Sequence, residues 1–336
     1  MRYTTQFIII VFLLIIVAVP IHADGTHPKG INLDGSLGNA GKLVLPGPDY
    51  EIKAEYGHQA GTNLFHSFQQ FNIHADESAT FTGPDSVQNI ISRVTGDASW
   101  IDGRLASAIP NADFYFLNPA GVMFGQNASL DVGGSFHVST ADYLRFGEND
   151  RFYAMPLEND VLSVAAPSAF GFLNGDAGNI SVEGMGELTT EVWGEEEYKH
   201  WGEWQRENLD FFLGLVVPEG KSISMIGADI EIKGTYYSYN ERDYVPVGSN
   251  LNAPEGLVHL AALRSAGEVE ITEASLDVSA KETGDITMSE GAKITVNGLG
   301  DRDTRGGSGS VFIRGGTLFW MMGLKFSLIP AMKTEE

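Results

Sequence analysis

Gly267-Glu268-Val269-Glu270-Ile271, Gly284-Asp285-Ile286-Thr287-Met288 and Gly309-Ser310-Val311-Phe312-Ile313 repeat one short phrase: glycine, a polar residue, then two β-forming residues spaced by one. Gly178-Asn179-Ile180-Ser181-Val182 carries the same phrase earlier. The last three start at 267, 284 and 309, a mean step of 21 residues, with Ala274-Ser275-Leu276-Asp277-Val278 and Ala292-Lys293-Ile294-Thr295-Val296 between them. Alternation with a period of two, punctuated by Gly, Asn, Asp and Pro, marks short strands, and helical periodicity is almost absent. Two or three strands per step of about 20 residues predict one coil of a β-solenoid, in which each thin coil hides its Val, Ile and Leu only by stacking on its neighbours. Gly and Asn are expected at the corners because they accept positive φ. At ~4.8 Å per coil, the chain predicts a rod some 60 Å long, less caps and excursions. The uneven spacing of the three starts leaves a β-sandwich as the alternative within the all-β class.

Outside these phrases the composition narrows the function. The 336 residues carry 44 acidic and 21 basic side chains, a net charge of −23, with 43% hydrophobic residues. The mixture is that of a globular chain, not a disordered, collagenous or coiled-coil one. So acidic a chain is unsuited to nucleic acid or anionic lipid, both of which need clustered Lys and Arg. Protein, carbohydrate or cation partners remain.

Residues 1–23 read as a signal peptide: Arg2 at a positive end, the apolar run Phe7 to Val19, then Pro20 and a small residue at Ala23. The run is too short to span a bilayer, which takes roughly 20 apolar residues. Cleavage after Ala23 leaves a mature chain of charge −24, since Arg2 is lost. Export normally favours disulfides, yet there is no cysteine, which excludes thiol catalysis, iron–sulfur clusters and thiolate zinc sites. Either a large core needs no staple, or a chain that crosses an oxidising compartment unfolded gains from having no cysteines to trap.

The segment 63–147 carries several motifs in order. Asn63-Leu64-Phe65-His66-Ser67-Phe68-Gln69-Gln70-Phe71-Asn72-Ile73 precedes Val87-Gln88-Asn89-Ile90-Ile91-Ser92-Arg93-Val94-Thr95-Gly96 and Ser99-Trp100-Ile101-Asp102-Gly103. Then come Phe114-Tyr115-Phe116-Leu117-Asn118-Pro119-Ala120-Gly121-Val122-Met123-Phe124-Gly125, Asn127-Ala128-Ser129-Leu130-Asp131-Val132-Gly133-Gly134-Ser135-Phe136 and Ser139-Thr140-Ala141-Asp142. This order resembles the N-terminal secretion domain (haemagglutination activity domain) of the filamentous haemagglutinin family, the exoproteins of two-partner secretion. Weaker likeness runs back to Gly35 and forward to Gly316.

The resemblance implies an all-β, right-handed parallel β-helix of pectin-lyase-like fold with an N-terminal cap and a short extra-helical excursion. It implies a partner, an outer-membrane β-barrel transporter with periplasmic recognition domains, that exports the chain unfolded through the periplasm of a Gram-negative envelope. The product is expected to be secreted or held at the cell surface as an adhesin, with a host or surface glycan or protein as ligand and no cofactor. On this reading residues 24–175 are the secretion domain and 176–316 continue the β-helix. The family's signature turn is Asn-Pro-Asn-Gly, matched here by Asn118, Pro119 and Gly121, with Ala120 in place of the second Asn; Phe71-Asn72-Ile73 matches a motif near the cap. Pro119 presets φ, Gly121 accepts positive φ and Asn118 closes the turn. The turn either shapes a solenoid corner or is read by the transporter.

Glu187 to Asp210 holds eight acids and Trp193, Trp201 and Trp204. It reads as an insertion leaving the coil, either a partner-binding excursion or a solvated loop whose tryptophans cover a flank. From Thr317 the strand pattern is expected to stop, leaving 317–336 as an atypical tail, either a cap or the aberrant end of a truncated chain.

Enzymes of the pectate-lyase kind share the β-helix and make a secreted carbohydrate-active enzyme the alternative function. Their sites need clustered aspartates with an Arg or His partner, and Asp131, Asp142 and Arg145 form the nearest group. Fold alone confers no chemistry, and no enzyme is expected. The eight histidines show no metal-site spacing, so no metal is expected, and Gly306-Gly307-Ser308-Gly309-Ser310 lacks the lysine of a phosphate loop.

Overall fold

Alternation along Asp113–Leu117 sets the architecture. Phe114 and Phe116 enter one buried core while Tyr115 and Leu117 pack against a second, on the opposite side of the same strand. The computed structural model describes residues 27, 29–157, 160–188, 214–240, 243–246, 248–272, 275–298 and 307–320. Within them the chain is nearly all strand, and no helix is long and apolar enough to cross a membrane.

Three faces wind around the first core. Seven parallel strands make the first face: Asn63–Phe71, Asn89–Val94, Asp113–Leu117, Phe136–Ser139, Ile223–Gly227, Leu257–Ala262 and Ser310–Arg314. The second face stacks Ser99–Ile101, Val122–Phe124, Ile180–Val182, Ile230–Lys233, Asp285–Ser289 and Thr317–Trp320. The third runs from Asp49–Lys53 through Ser78–Thr82 and Arg104–Ser107 to Ser129–Asp131, and resumes at Leu215–Val216, Leu251–Asn252 and Ile294–Thr295. This is a parallel β-helix, and the sandwich alternative falls. An aromatic cluster fills its early coils: Phe71 meets Phe68 and Phe116 at centroid distances of 5.0 Å, and Phe81 meets Phe114 at 4.8 Å. Burying such rings is the main source of stability where single coils are thin.

At the N-terminal end the strand order reverses. Ile31–Asp34 pairs antiparallel with Asn63–Phe71, and Lys42–Val44 pairs antiparallel with Ile31–Asp34, so the first coil is capped, as expected.

The coils differ from the sequence expectation in three respects. Leu64 aligns with Ile90, Ile90 with Phe114 and Phe114 with Phe136, so each early coil is somewhat longer than the predicted step. Phe136 then aligns with Ile223, Ile223 with Val258 and Val258 with Val311, because long segments leave the coil in between. Six spacings of ~4.8 Å therefore give a stack of only about 29 Å. The phrases at 267, 284 and 309 are not successive coils. Asp285–Ser289 lies on the second face and Ser310–Arg314 on the first. Gly267–Ile271 belongs to neither; it pairs antiparallel with Leu276–Val278 and with Pro167–Phe172.

That last pairing belongs to a five-stranded antiparallel sheet made by Asp150–Tyr153, Tyr143–Phe146, Pro167–Phe172, Gly267–Ile271 and Leu276–Val278. It packs on the outer side of the first face and encloses the second core, where Phe65, Ile91 and Leu117 meet Leu144, Phe152, Phe170 and Val269. The first face is thus buried on both sides, which is why its strands read as continuous apolar runs.

The repeated glycines also have a different cause. Gly178, Gly267, Gly284 and Gly309 are absent from the positive-φ positions. A Cβ on Gly309 would sit 1.7 Å from the carbonyl oxygen of Gly256, and one on Gly284 would sit 1.8 Å from that of Ala228. Close approach of one coil to the next excludes a side chain there.

The strand pattern does not stop at Thr317, because Thr317–Trp320 continues the second face in register with Asp285–Ser289. The signal peptide, most of the Glu187–Asp210 segment with Trp193, Trp201 and Trp204, and the tail beyond 320 lie outside the described residues. Where that segment begins, Gly186–Leu188 has left the three faces and pairs with Thr235–Asn240, which leaves the following coil.

Candidate recognition site at the Asn118–Gly121 turn

The signature turn joins the first face to the second in the third coil. Asn118 is fully buried and its side chain is used at both ends. Its Oδ1 accepts the Ala120 N–H at 3.0 Å, and its Nδ2 donates to the Asp97 carbonyl and to Ser99 Oγ, each at 3.0 Å. The Gly121 N–H closes the turn on the Asn118 carbonyl at 3.0 Å. Gly121 has φ +121, which only glycine adopts at low cost. The next coil rests on this corner, since Gly178 N–H donates to the Pro119 carbonyl at 2.7 Å and Val122 N–H to the Asn179 carbonyl at 3.0 Å. Gly121 is buried and Ala120 exposed, so the position that departs from the family pattern is the one whose side chain meets solvent.

Asn72 does a similar job nearer the cap. Its Oδ1 accepts the Trp100 N–H at 2.8 Å, and its own N–H donates to the Gly30 carbonyl at 3.1 Å. Trp100 is covered in turn by His27, ring on ring at 4.3 Å. Phe71 beside it is a buried core residue. The residues of both motifs are therefore brought to structural corners, 118–121 between two faces and 72 under the cap.

Polar ladders continue down the second-face corner. Asn179 Oδ1 accepts the Asp229 N–H at 3.2 Å, Asp229 Oδ1 accepts the Asp285 N–H at 2.8 Å, and Arg264 bridges both aspartates at 2.6 and 3.3 Å. Each coil thereby caps the backbone of the next.

Sequence reasoning missed the strongest polar node. Arg93 is 1% exposed. Its guanidinium donates to Ser67 Oγ at 2.8 Å, the Tyr153 carbonyl at 2.7 Å, Asp160 at 2.5 Å and Ser36 Oγ at 3.1 Å. It also lies 4.5 Å over the Phe152 ring. One side chain ties the cap, two coils and the antiparallel sheet. Only an arginine in an apolar phrase, Ile90-Ile91-Ser92-Arg93-Val94, could have signalled it.

The trio weighed for catalysis does not assemble. Asp131 is exposed on the third face and pairs with Arg104. Arg145 lies on the antiparallel sheet, where it pairs with Glu268 at 3.0 Å and with Glu270. Asp142 accepts the Leu173 N–H at 2.6 Å. Among the described residues no three His, Asp or Glu side chains are grouped to hold a metal.

Two imidazoles are buried in the neutral form. Burial pushes His66 down to about 4 against the opposing pull of its hydrogen bond to the Lys53 carbonyl, and pushes His137 down to about 3 with His259 adding to the effect. Because the Lys53 carbonyl only accepts, Nε2 of His66 carries the proton. A base whose folded pKa is depressed binds protons more readily when unfolded. Its stabilisation is therefore full above pH ~6.5 and is lost as pH falls toward the folded values. Chemical denaturation between pH 7 and 4 should show falling stability, at about 1.4 kcal/mol per pH unit per histidine in the steep region. His66→Gln should flatten that slope.

An all-β parallel solenoid with an N-terminal cap and a buried Asn-Pro-x-Gly corner defines the class: a capped parallel β-helix. Residues 29–310 match the TPS secretion domain family, and the chain belongs to it. Membership makes it a two-partner secretion exoprotein, secreted through the Gram-negative envelope to the cell surface or the medium. Over 83 residues it is 36% identical to the heme/hemopexin-binding protein of Haemophilus influenzae, a stretch that is 24% of this chain and 9% of that protein. The chain thus matches less than a tenth of that relative's length.

Proposed function

We propose that this chain is recognised by an outer-membrane β-barrel transporter through its periplasmic domains, crosses that barrel unfolded, folds outside coil upon coil and serves as a non-catalytic adhesin. The supporting observation is the family match across 29–310, which takes in the capped coils and the Asn118–Gly121 corner together. In a stack where each coil buries its neighbour, coils that fold on one another outside the membrane make passage one-way. Asp131, Asp142 and Arg145 have separate structural duties, which favours adhesion over glycan cleavage.

The turn allows its two roles to be separated. Asn118 and Gly121 are buried, so their substitution damages the corner whatever a partner reads; Ala120 is exposed. Ala120→Asn should leave thermal stability within about 0.5 kcal/mol of the parent, as surface changes usually do. Binding of the unfolded chain to the transporter's isolated periplasmic domains should strengthen in Ala120→Asn and weaken in Asn118→Asp. Equal binding by all three chains would remove the turn from recognition.

A further inference from the structure

A cleft of about 570 Å³ runs beside the first face, between its outer surface and the edge of the antiparallel sheet. Along its floor the outward positions of successive coils align: Tyr115 with His137, His137 with Ser224, and Ser224 with His259. Tyr115 stacks on His137 at 4.5 Å. Ser224 Oγ lies 2.9 Å from Nδ1 of His137 and 3.3 Å from Nδ1 of His259. A hydroxyl has one proton, so Ser224 donates to one imidazole and accepts from the other, and the row is polarised one way or the reverse.

His137 is 7% exposed and lines the cleft, and its Nε2 has no hydrogen bond among the described residues; nor has the Tyr115 hydroxyl. Neither atom is fully enclosed by protein, so the His137 Nε2 and the Tyr115 hydroxyl open onto the cleft and are free to hydrogen-bond a ligand there. We propose that this cleft binds a neutral, hydroxyl-rich ligand, a short saccharide, through Tyr115 and His137; the inference rests on the adhesin reading and gives it a site.

The chemistry selects that class. A sugar hydroxyl both donates and accepts, so it satisfies Nε2 in either polarisation of the row. An anion only accepts, and it would face Asp113 and Glu255 on the rim, with Lys221 the sole Lys or Arg among the described residues lining the cleft. Metal cations lack a cluster of three ligands among the described residues. Ser168, Ser222 and Thr272 add hydroxyls to the wall. From Tyr115 to His259 the cleft spans three coil spacings, about 14 Å, the length of a short oligosaccharide.

The test titrates the full purified chain with lactose, maltotriose and chitotriose, with a heparin tetrasaccharide as the anionic comparison, by saturation-transfer NMR and calorimetry. Binding of at least one neutral sugar is expected, weakened at least tenfold by Tyr115→Phe at unchanged melting temperature, with a shifted ¹⁵N imidazole resonance of His137 on binding. His137→Gln should lose binding similarly, and if it fails to fold Tyr115→Phe carries the test. No neutral sugar binding, heparin binding alone, or binding untouched by Tyr115→Phe overturns the site. Normal partner-dependent export without sugar binding would sink this inference alone, and binding untouched by Tyr115→Phe would leave adhesion standing with its site elsewhere.

Discussion

Arg93→Ala is expected to lower the stability of the folded chain by about 3–5 kcal/mol, the usual cost of breaking a buried ion pair by removing one partner. Its charge is enclosed, with side-chain exposures of 1% for Arg93 and 10% for Asp160. Ser67, Ser36, the Tyr153 carbonyl and the Phe152 ring depend on the same guanidinium, and Ser67 in turn donates to Asp34 at 2.6 Å. Losing it removes the polar tie between the N-terminal cap and the antiparallel sheet. Arg93→Lys should fall between the two, because lysine keeps the charge but not the planar fork that reaches Ser67, Tyr153 and Asp160 together. Urea unfolding of the three chains measures the order. A loss below about 1 kcal/mol in Arg93→Ala, the range of an exposed pair, would mean the node is peripheral to the fold.

The second large effect is expected at Gly121→Val. The backbone there sits at φ +121, and a Cβ would lie 3.1 Å from the Asn179 carbonyl oxygen of the coil above. A β-branched residue meets both the backbone strain and the contact, about 2–5 kcal/mol together. The damage should be local at first: limited proteolysis should cut near the corner before the aromatic coils open, since Phe68, Phe71 and Phe81 lie in an earlier coil. Gly121→Ala should cost less, because it adds the strain without the branch.

Much of the fold was legible because coil-stacking imposes local grammar. Period-two alternation in Asp285–Ser289 and the Asn118–Gly121 turn are written in adjacent residues, and the cap and signature motifs carried the family resemblance. What was not legible depends on distance. Gly267–Ile271 has the same phrase as Ser310–Arg314, yet one lies in an antiparallel sheet and the other in a coil. The difference lies in what each packs against, not in its own sequence. The regular step failed for the same reason, because chain leaving the coil between Ser139 and Ile223 hides the true register of Phe136 with Ile223. Thr317–Trp320 reads as aberrant because its pattern is apolar without a corner, while the strand it pairs with, Asp285–Ser289, is remote in the chain.

The site was legible in part. Asn118 and Gly121 take the backbone roles their residue types dictate, as polar turn closer and positive-φ glycine. Their burial, against the exposure of Ala120, needed the neighbouring coil. Tyr115 and His137 gave no signal as a pair, since they stand on successive coils and only parallel stacking aligns their outward side chains; Arg93 aligns instead with Leu117, and its partners are equally remote in the chain. Trp193, Trp201 and Trp204, the aromatic excursion picked from sequence, lie outside the described residues.

Secretion tests the central claim most directly. The full chain is expressed in a Gram-negative host with and without its outer-membrane barrel, and medium and periplasm are assayed for the protein. The expected result is appearance in the medium that requires the barrel and is lost in Asn118→Asp and Gly121→Val. Release without the barrel, or retention in the periplasm with it, would contradict recognition and export by a two-partner route.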